Sequence, residues 1–218
     1  MTDYAAARLN MVEGQLRTNR ITDPGLIEAF LTVPRERFVP APLAGSAYVD
    51  ADIPLGPGRC LVAPLVLAQL LQLAEPQSTD RALYLGAATG YGPAILAHLV
   101  GSVTAVEPDS ALAAEASRLL TSIGASGIRQ VEGPLDRGDA AGAPYDIIVF
   151  GGAIAAMPDA IIEQLAPQGR AVAILTPDSG VGQATVMTRA GGVLSRRSYF
   201  DAATLLLPGL APQPGFTF

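Results

Sequence analysis

The sequence predicts an α/β protein: a doubly wound, Rossmann-like, mostly parallel sheet with helices on both faces, an antiparallel C-terminal hairpin and an N-terminal helical extension. Three observations predict it. From Arg81 onward apolar runs at Ala82–Leu85, Val103–Val106, Asp146–Phe150 and Ala171–Leu175 alternate with helical patterns, and continuous apolar runs mark parallel strands buried on both faces. Near the end, Ala184–Arg189 and Ser198–Leu207 flank the turn Ala190-Gly191-Gly192, the pattern of an antiparallel hairpin. The first part of the chain is helical and proline-rich instead. Residues 1–218 are therefore expected to form a single domain, with 1–75 as an N-terminal layer and 76–218 as the core.

Taken in order, Ala5 to Arg17 carries a helical stripe at Leu9, Val12 and Leu16. Thr22 or Asp23 before Pro24 reads as an N-cap with proline at the first helical position, opening a second helix through Phe30. Prolines at 34, 40, 42, 54, 57 and 64 make the stretch after it a constrained loop that packs over the next segment. Leu65–Leu73 reads as a helix. In the core, helices are expected at Pro93–Val100, Ser110–Ile123 and Pro158–Leu165, with a weaker strand at Ile128–Glu132.

Composition excludes several chemistries. All 14 basic residues of the 218 are Arg, so no Schiff-base, Walker-type or kinase-type lysine exists. Cys60 and His98 are the sole residues of their kinds, which rules out an intramolecular disulfide and zinc sites built from several Cys and His ligands. A formal charge of −6 argues against sequence-independent nucleic-acid binding, since Arg35 with Arg37 and Arg196 with Arg197 make no basic stripe. The start MTDYAAARLN has no apolar signal core and no apolar run approaches membrane-spanning length, so a cytoplasmic protein without a membrane partner is expected.

The chemistry-bearing signal is the stretch Gly86-Ala87-Ala88-Thr89-Gly90-Tyr91-Gly92, which follows the first core strand and opens a helix. A loop there brings backbone close to a ligand at the carboxyl ends of the strands. Glu107, about 20 residues on at the end of the next strand, is placed to accept both hydroxyls of a ribose. A dinucleotide fingerprint read from Gly86 fails at Ala88 and Tyr91, whereas Gly-x-Gly-x-Gly fails only at Ala88, so an adenosylmethionine-type loop fits better. The alternative is that Gly86 and Gly90 simply make a tight strand–helix turn.

From about Met11 to Gly209 the chain resembles the protein-L-isoaspartate O-methyltransferase family. The likeness runs in order through Gln15-Leu16, Ile21-Thr22-Asp23, Val33-Pro34-Arg35, Phe38-Val39-Pro40, Ala47-Tyr48 with Asp50, Pro54-Leu55-Gly56 and Pro64. It continues through Gly86 to Tyr91, Val106-Glu107, Tyr145 to Val149, Met157-Pro158, Gln164-Leu165, Gly169-Arg170 and Leu207-Pro208-Gly209. The resemblance implies S-adenosylmethionine as cofactor, a protein or peptide carboxylate as substrate, and repair of isoaspartyl residues by methylation. It implies Gly86, Ala88, Gly90, Tyr91, Glu107, Pro108 and Gly133 as cofactor-binding positions.

Four positions depart from the family pattern. The substrate loop reads Arg59-Cys60-Leu61-Val62, so the family's serine is Val62, and Arg59 and Cys60 are the remaining candidates for a catalytic part in that loop. The acid at the end of the first core strand is Tyr84, the middle glycine is Ala88, and Gly-Asp-Gly is Gly133-Pro134-Leu135. Two lost polar contacts of about 1 kcal/mol each weaken a cofactor roughly 30-fold. Weak cofactor binding is the expectation, with Asp136 or Tyr84 as candidates to compensate. Arg59 is read either as a solvated surface residue or as a bidentate carboxylate binder, Cys60 as a packed residue, His98 as a helix-end residue and Asp146 as a structural cap. Two functions stay open: an isoaspartyl-type methyltransferase with altered specificity, extending to a small-metabolite acceptor, and a catalytically silent homologue that binds a ligand or partner through the same cleft.

Overall fold

A computed structural model describes residues 3–176, 181–190 and 193–211. Its centre is a seven-stranded sheet in the order β5-β4-β3-β6-β7-β8-β9. These strands are β3 (Arg81–Leu85), β4 (Ser102–Glu107), β5 (Ile128–Glu132), β6 (Tyr145–Ile154), β7 (Leu165–Leu175), β8 (Gln183–Ala190) and β9 (Val193–Asp201). β5, β4, β3, β6 and β7 run parallel, and β8 and β9 are antiparallel additions at one edge. The strand order reverses direction between β3 and β6, so the crevice outside their carboxyl ends is where such a sheet takes a ligand.

The continuous apolar runs do what their pattern dictates. Ala82 to Leu85, Val103, Ala105 and Val106, and Ile147 to Phe150 are all buried, with one face of the sheet closed by α4 (Tyr91–Ala97) and the N-terminal layer. Alternate residues, among them Leu83, Leu85, Val106, Ile148 and Phe150, form a second cluster with Leu165, Leu207 and Leu210. β5, by contrast, is only partly covered.

The N-terminal layer begins with α1 (Tyr4–Met11), which passes into a π turn over Val12–Leu16 and a short 3-10 turn, not the single helix expected over Ala5–Arg17. Val12 and Leu16 are buried, but Leu9 is 49% exposed, because the change of pitch after Met11 rotates the stripe away from it. α2 (Pro24–Thr32) starts as expected, with the Asp23 side chain accepting from the Leu26 amide. The proline-rich stretch is more regular than a loop: 3-10 turns at Arg35–Phe38 and Ala41–Ser46 lead into a hairpin of β1 (Ile53–Gly56) and β2 (Arg59–Leu61). Helix α3 (Pro64–Leu73) comes directly after it.

α5 (Ser110–Ser122) and β5 match their expected bounds to within one residue, and α6 (Asp159–Ile162) is shorter than expected because Leu165 belongs to β7. The second arm of the C-terminal hairpin is β9, Val193–Asp201, displaced from the expected Ser198–Leu207; Gly191 and Gly192 of the expected turn lie outside the described residues. Leu206 makes a separate parallel bridge to Ala153, with the Ala153 amide donating to Leu205 O at 2.9 Å and the Leu207 amide to Ala153 O at 2.8 Å. This lays residues 205–207 across the carboxyl end of β6.

Candidate active site

The β3–α4 turn keeps the left-handed conformations that a glycine loop exists to supply: φ is 82° at Gly86, 50° at Ala88 and 97° at Gly90. A Cβ on Gly86 would also lie 2.6 Å from Leu207, which would have to shift, and one on Gly90 would meet Leu120 in a tight contact at 3.2 Å. Ala88 adopts the same left-handed region with a side chain, a strained position for a non-glycine residue. Four amides of this turn end on protein acceptors. Gly86 and Ala87 donate to Val106 O at 3.0 and 3.1 Å, Gly90 to Ala87 O at 2.8 Å, and Ala88 to the Glu107 carboxylate at 2.7 Å.

Glu107 stands at the end of β4, where the sequence placed it, and is 2% exposed. Its carboxylate is already complete. Oε1 accepts from Arg59 Nη1 at 2.8 Å and from the Asp109 amide at 3.2 Å. Oε2 accepts from Arg59 Nη2 at 2.6 Å and from the Ala88 amide. Four donors on two oxygens use the acceptor sites a carboxylate has, leaving none for a ribose diol. Arg59, 5% exposed, is therefore neither a solvated surface residue nor open to a substrate: its bidentate partner is internal. The cavity bordering Glu107, lined also by Ala87, Gly90 and Gln130, has a volume of about 10 Å³, room for roughly one water.

The neighbouring positions are filled by side chains. Tyr84, at the end of β3, is buried with its phenol against Gly92 and Gly151: a Cβ on Gly92 would overlap the Tyr84 oxygen, and one on Gly151 would meet it at 3.0 Å. Burial pushes the Tyr84 phenol up against the opposing pull of Arg35 and Arg59, so it stays neutral. Leu207 is buried over Gly86 and Gly152, 2.6 and 2.8 Å from where Cβ atoms would be. At the β5 end, Leu135 of Gly133-Pro134-Leu135 is buried in the second core cluster, and Asp136 is half-exposed with Arg137 at 3.8 Å. S-adenosylmethionine does not fit this cleft as it stands.

Tyr91 corrects an expectation about the cofactor loop. It is wholly buried, with its ring edge-on to Phe30 and Phe38 at 6.2 and 5.5 Å between centroids and the Arg35 guanidinium 4.8 Å above its face. Burial, opposed by Arg35, pushes its hydroxyl up to about 12. It anchors the N-terminal layer instead of lining the cleft. Arg35, also wholly buried, donates to Ala47 O at 2.7 Å and Val62 O at 2.8 Å, and so holds the substrate-loop position from beneath. Pro108 joins Glu107 to Asp109, whose side chain caps α5 through the Ala111 and Leu112 amides.

In the substrate loop, Val62 is buried and Cys60 lies 3.3 Å from Asp52 Oδ2. Thr204 donates to the same oxygen at 2.5 Å and the Ala63 amide to Oδ1 at 2.8 Å. Burial pushes the Cys60 thiol up, with Thr204 opposing and Asp52 reinforcing, which favours the protonated, packed form over the thiolate a nucleophile needs. Asp52 and Thr204 were not singled out by the sequence; Asp52 carries no motif, and Thr204 is brought to the loop only by the bridge at Leu206. His98 caps the C-terminal end of α4, beside Thr32 and Pro34, and Asp146 accepts from the Arg81 amide at 2.9 Å, as a structural cap would.

Comparison with known proteins decides the family. The model of the protein-L-isoaspartate(D-aspartate) O-methyltransferase family matches residues 7–197. The chain belongs to the protein-L-isoaspartate O-methyltransferase family. A protein-L-isoaspartate O-methyltransferase of Aeropyrum pernix is 39% identical over 94% of this chain and 80% of its own length, and protein-L-isoaspartate O-methyltransferase 1 of Rhodopseudomonas palustris strain HaA2 is 34% identical over 86% and 77%. Among solved structures, a protein-L-isoaspartate O-methyltransferase superimposes with TM-score 0.82 at 22% identity, over 94% of this chain and 67% of that one. A Plasmodium falciparum structure described as a protein-L-isoaspartate O-methyltransferase in complex with S-adenosyl-L-homocysteine superimposes with TM-score 0.78 at 16% identity, over 95% and 99%. The methyltransferase fold is thus shared throughout. The family uses S-adenosylmethionine and methylates isoaspartyl residues of proteins. Among the described residues no helix is long and apolar enough to cross a membrane.

Proposed function

We propose that this chain is a single-domain, S-adenosylmethionine-dependent methyltransferase acting on a protein or peptide carboxylate, and that the conformation described here is its closed form. The observation that carries the reading is Glu107, held at the carboxyl end of β4 against the Ala88 amide of the glycine turn, beside the point where the strand order reverses. Gly86 and Gly90 keep the backbone path that such a site needs. The cofactor class would supply an electrophilic methyl group. A carboxylate is already a nucleophile at neutral pH, so the protein's contribution is position and exclusion of water, which suits a chain without Lys.

A second reading, a catalytically silent homologue, is favoured by the saturation of Glu107 and by Val62, which has no hydroxyl for a substrate. Calorimetric titration with S-adenosylhomocysteine, together with label transfer to an isoaspartyl peptide, separates the two. The methyltransferase reading expects weak binding, on the order of 100 μM. It also expects slow transfer that Val62→Ser raises by about 2- to 15-fold, the equivalent of one restored hydrogen bond. Binding without transfer, in both the wild type and a Val62→Ser, Ala88→Gly, Pro134→Asp variant, would withdraw the isoaspartyl substrate.

A further inference from the structure

We infer that Arg59 is a gate on the cofactor cleft: its guanidinium occupies the ribose acceptor Glu107, and a nucleoside ligand enters only when that side chain leaves. The inference rests on the methyltransferase reading for the identity of the ligand. Its physical basis is the pairing itself. Two parallel N–H···O contacts of 2.8 and 2.6 Å cover the edge of Glu107 that would face a diol, and both partners are shut off from water. A ribose brings two hydroxyl donors to the same two oxygens, so guanidinium and ligand compete for one set of acceptors. The closed form wins at rest because charge-assisted contacts in a dry site are stronger than neutral ones.

The hairpin is built so that Arg59 can move while its neighbours stay. On one side lies the exposed turn Gly56-Pro57-Gly58, with φ of 148° at Gly56 and 67° at Gly58 and open space beside each glycine. On the other side Cys60 and Ala63 are tied to Asp52, and Val62 O is held by Arg35. Arg59 is thus the first residue of β2, paired with Gly56 across an exposed turn, and the Glu107 pair is the tether that holds its side chain inward. Glu107 does not become an orphan when Arg59 swings out, because the Ala88 and Asp109 amides still donate to it.

The apparent affinity of a ligand falls by the fraction of molecules that are open, so removing the gate raises it. The test is calorimetric titration of the full chain with S-adenosylhomocysteine, with circular dichroism to establish folding. Arg59→Gln is expected to bind on the order of tenfold tighter than the wild type or better, with Arg59→Lys in between because an ammonium cannot make the paired contact. Arg59→Gln with Glu107→Gln is expected to lose the gain. Equal binding by wild type and both single variants overturns the gate and leaves the methyltransferase reading standing. No binding by either folded single variant overturns both, since side chains other than Arg59 then close the cleft. A tighter Arg59→Gln variant that transfers no methyl group to an isoaspartyl peptide supports the gate and removes the proposed function.

Discussion

The two ends of the parallel sheet use the same chemistry, arginine against carboxylate, to opposite effect. At the carboxyl end Arg59 and Glu107 pair in a dry pocket, each almost without access to water. At the amino end Arg129 pairs with Asp139, which also accepts from Tyr145 at 2.5 Å, but the Arg129 side chain is 53% exposed. Losing the carboxylate from the dry pair leaves a guanidinium and two amides short of an acceptor in a low-dielectric site, whereas solvent replaces much of what is lost from the wet one. The difference teaches that an ion pair's contribution follows the water around it more than its geometry.

The largest test of that contrast is Glu107→Ala. It leaves the Arg59 guanidinium and the Ala88 amide without their acceptor and is expected to lower the unfolding free energy by about 3–5 kcal/mol in denaturant titration. Combining it with Arg59→Met is expected to recover much of the loss, and a double variant no more stable than Glu107→Ala would show that the two side chains are not energetically coupled.

Asp139→Asn should cost less, about 1 kcal/mol near neutral pH, because half-exposed Arg129 is rehydrated. Its effect should also depend on pH. Burial pushes the Asp139 carboxyl up, but the hydrogen bonds from Tyr145 and Arg129 outweigh it and hold the group below the usual carboxylate range. A carboxylate held low in the folded state stabilises above its ordinary value and loses that contribution as pH falls through its folded value. The gap between wild type and Asp139→Asn should therefore shrink below about pH 4, and a constant gap would mean that packing, not charge, is at stake. The smallest effect belongs to Arg118→Ala, which removes a wholly surface pair with Glu115 and should leave the thermal midpoint unchanged.

The same contrast between dry and wet explains what the sequence could say. Strands β3, β4 and β6 are buried on both faces, so continuous apolar runs gave their positions to within a few residues. β9 faces solvent along most of its length, with Val193 and Tyr199 exposed beside Arg196 and Arg197, so its bounds carried no apolar signal and were displaced. The hairpin of β1 and β2 was hidden because its pairing is set by a Gly-Pro-Gly turn inside a proline-rich run, not by alternation. Within the site, Glu107 and the glycine turn were legible from spacing along one chain segment. The Arg59–Glu107 pair joins residues 48 apart in sequence, and no periodicity within a segment encodes a contact of that kind. Tyr91 was misassigned because its position beside the glycine loop says nothing about which way a ring points.

Tyr84 and its two glycines carry an implication for which changes position 84 can accept. The phenol sits against Gly92 and Gly151 so closely that neither glycine admits a methyl group. Placing an acid at position 84 would exchange a packed ring for a smaller buried carboxylate, with a cavity and a desolvated charge arriving together. Position 84 is therefore closed to piecemeal change: ring and glycines interlock like a key in a lock, and the two glycines are held fixed by the ring they accommodate.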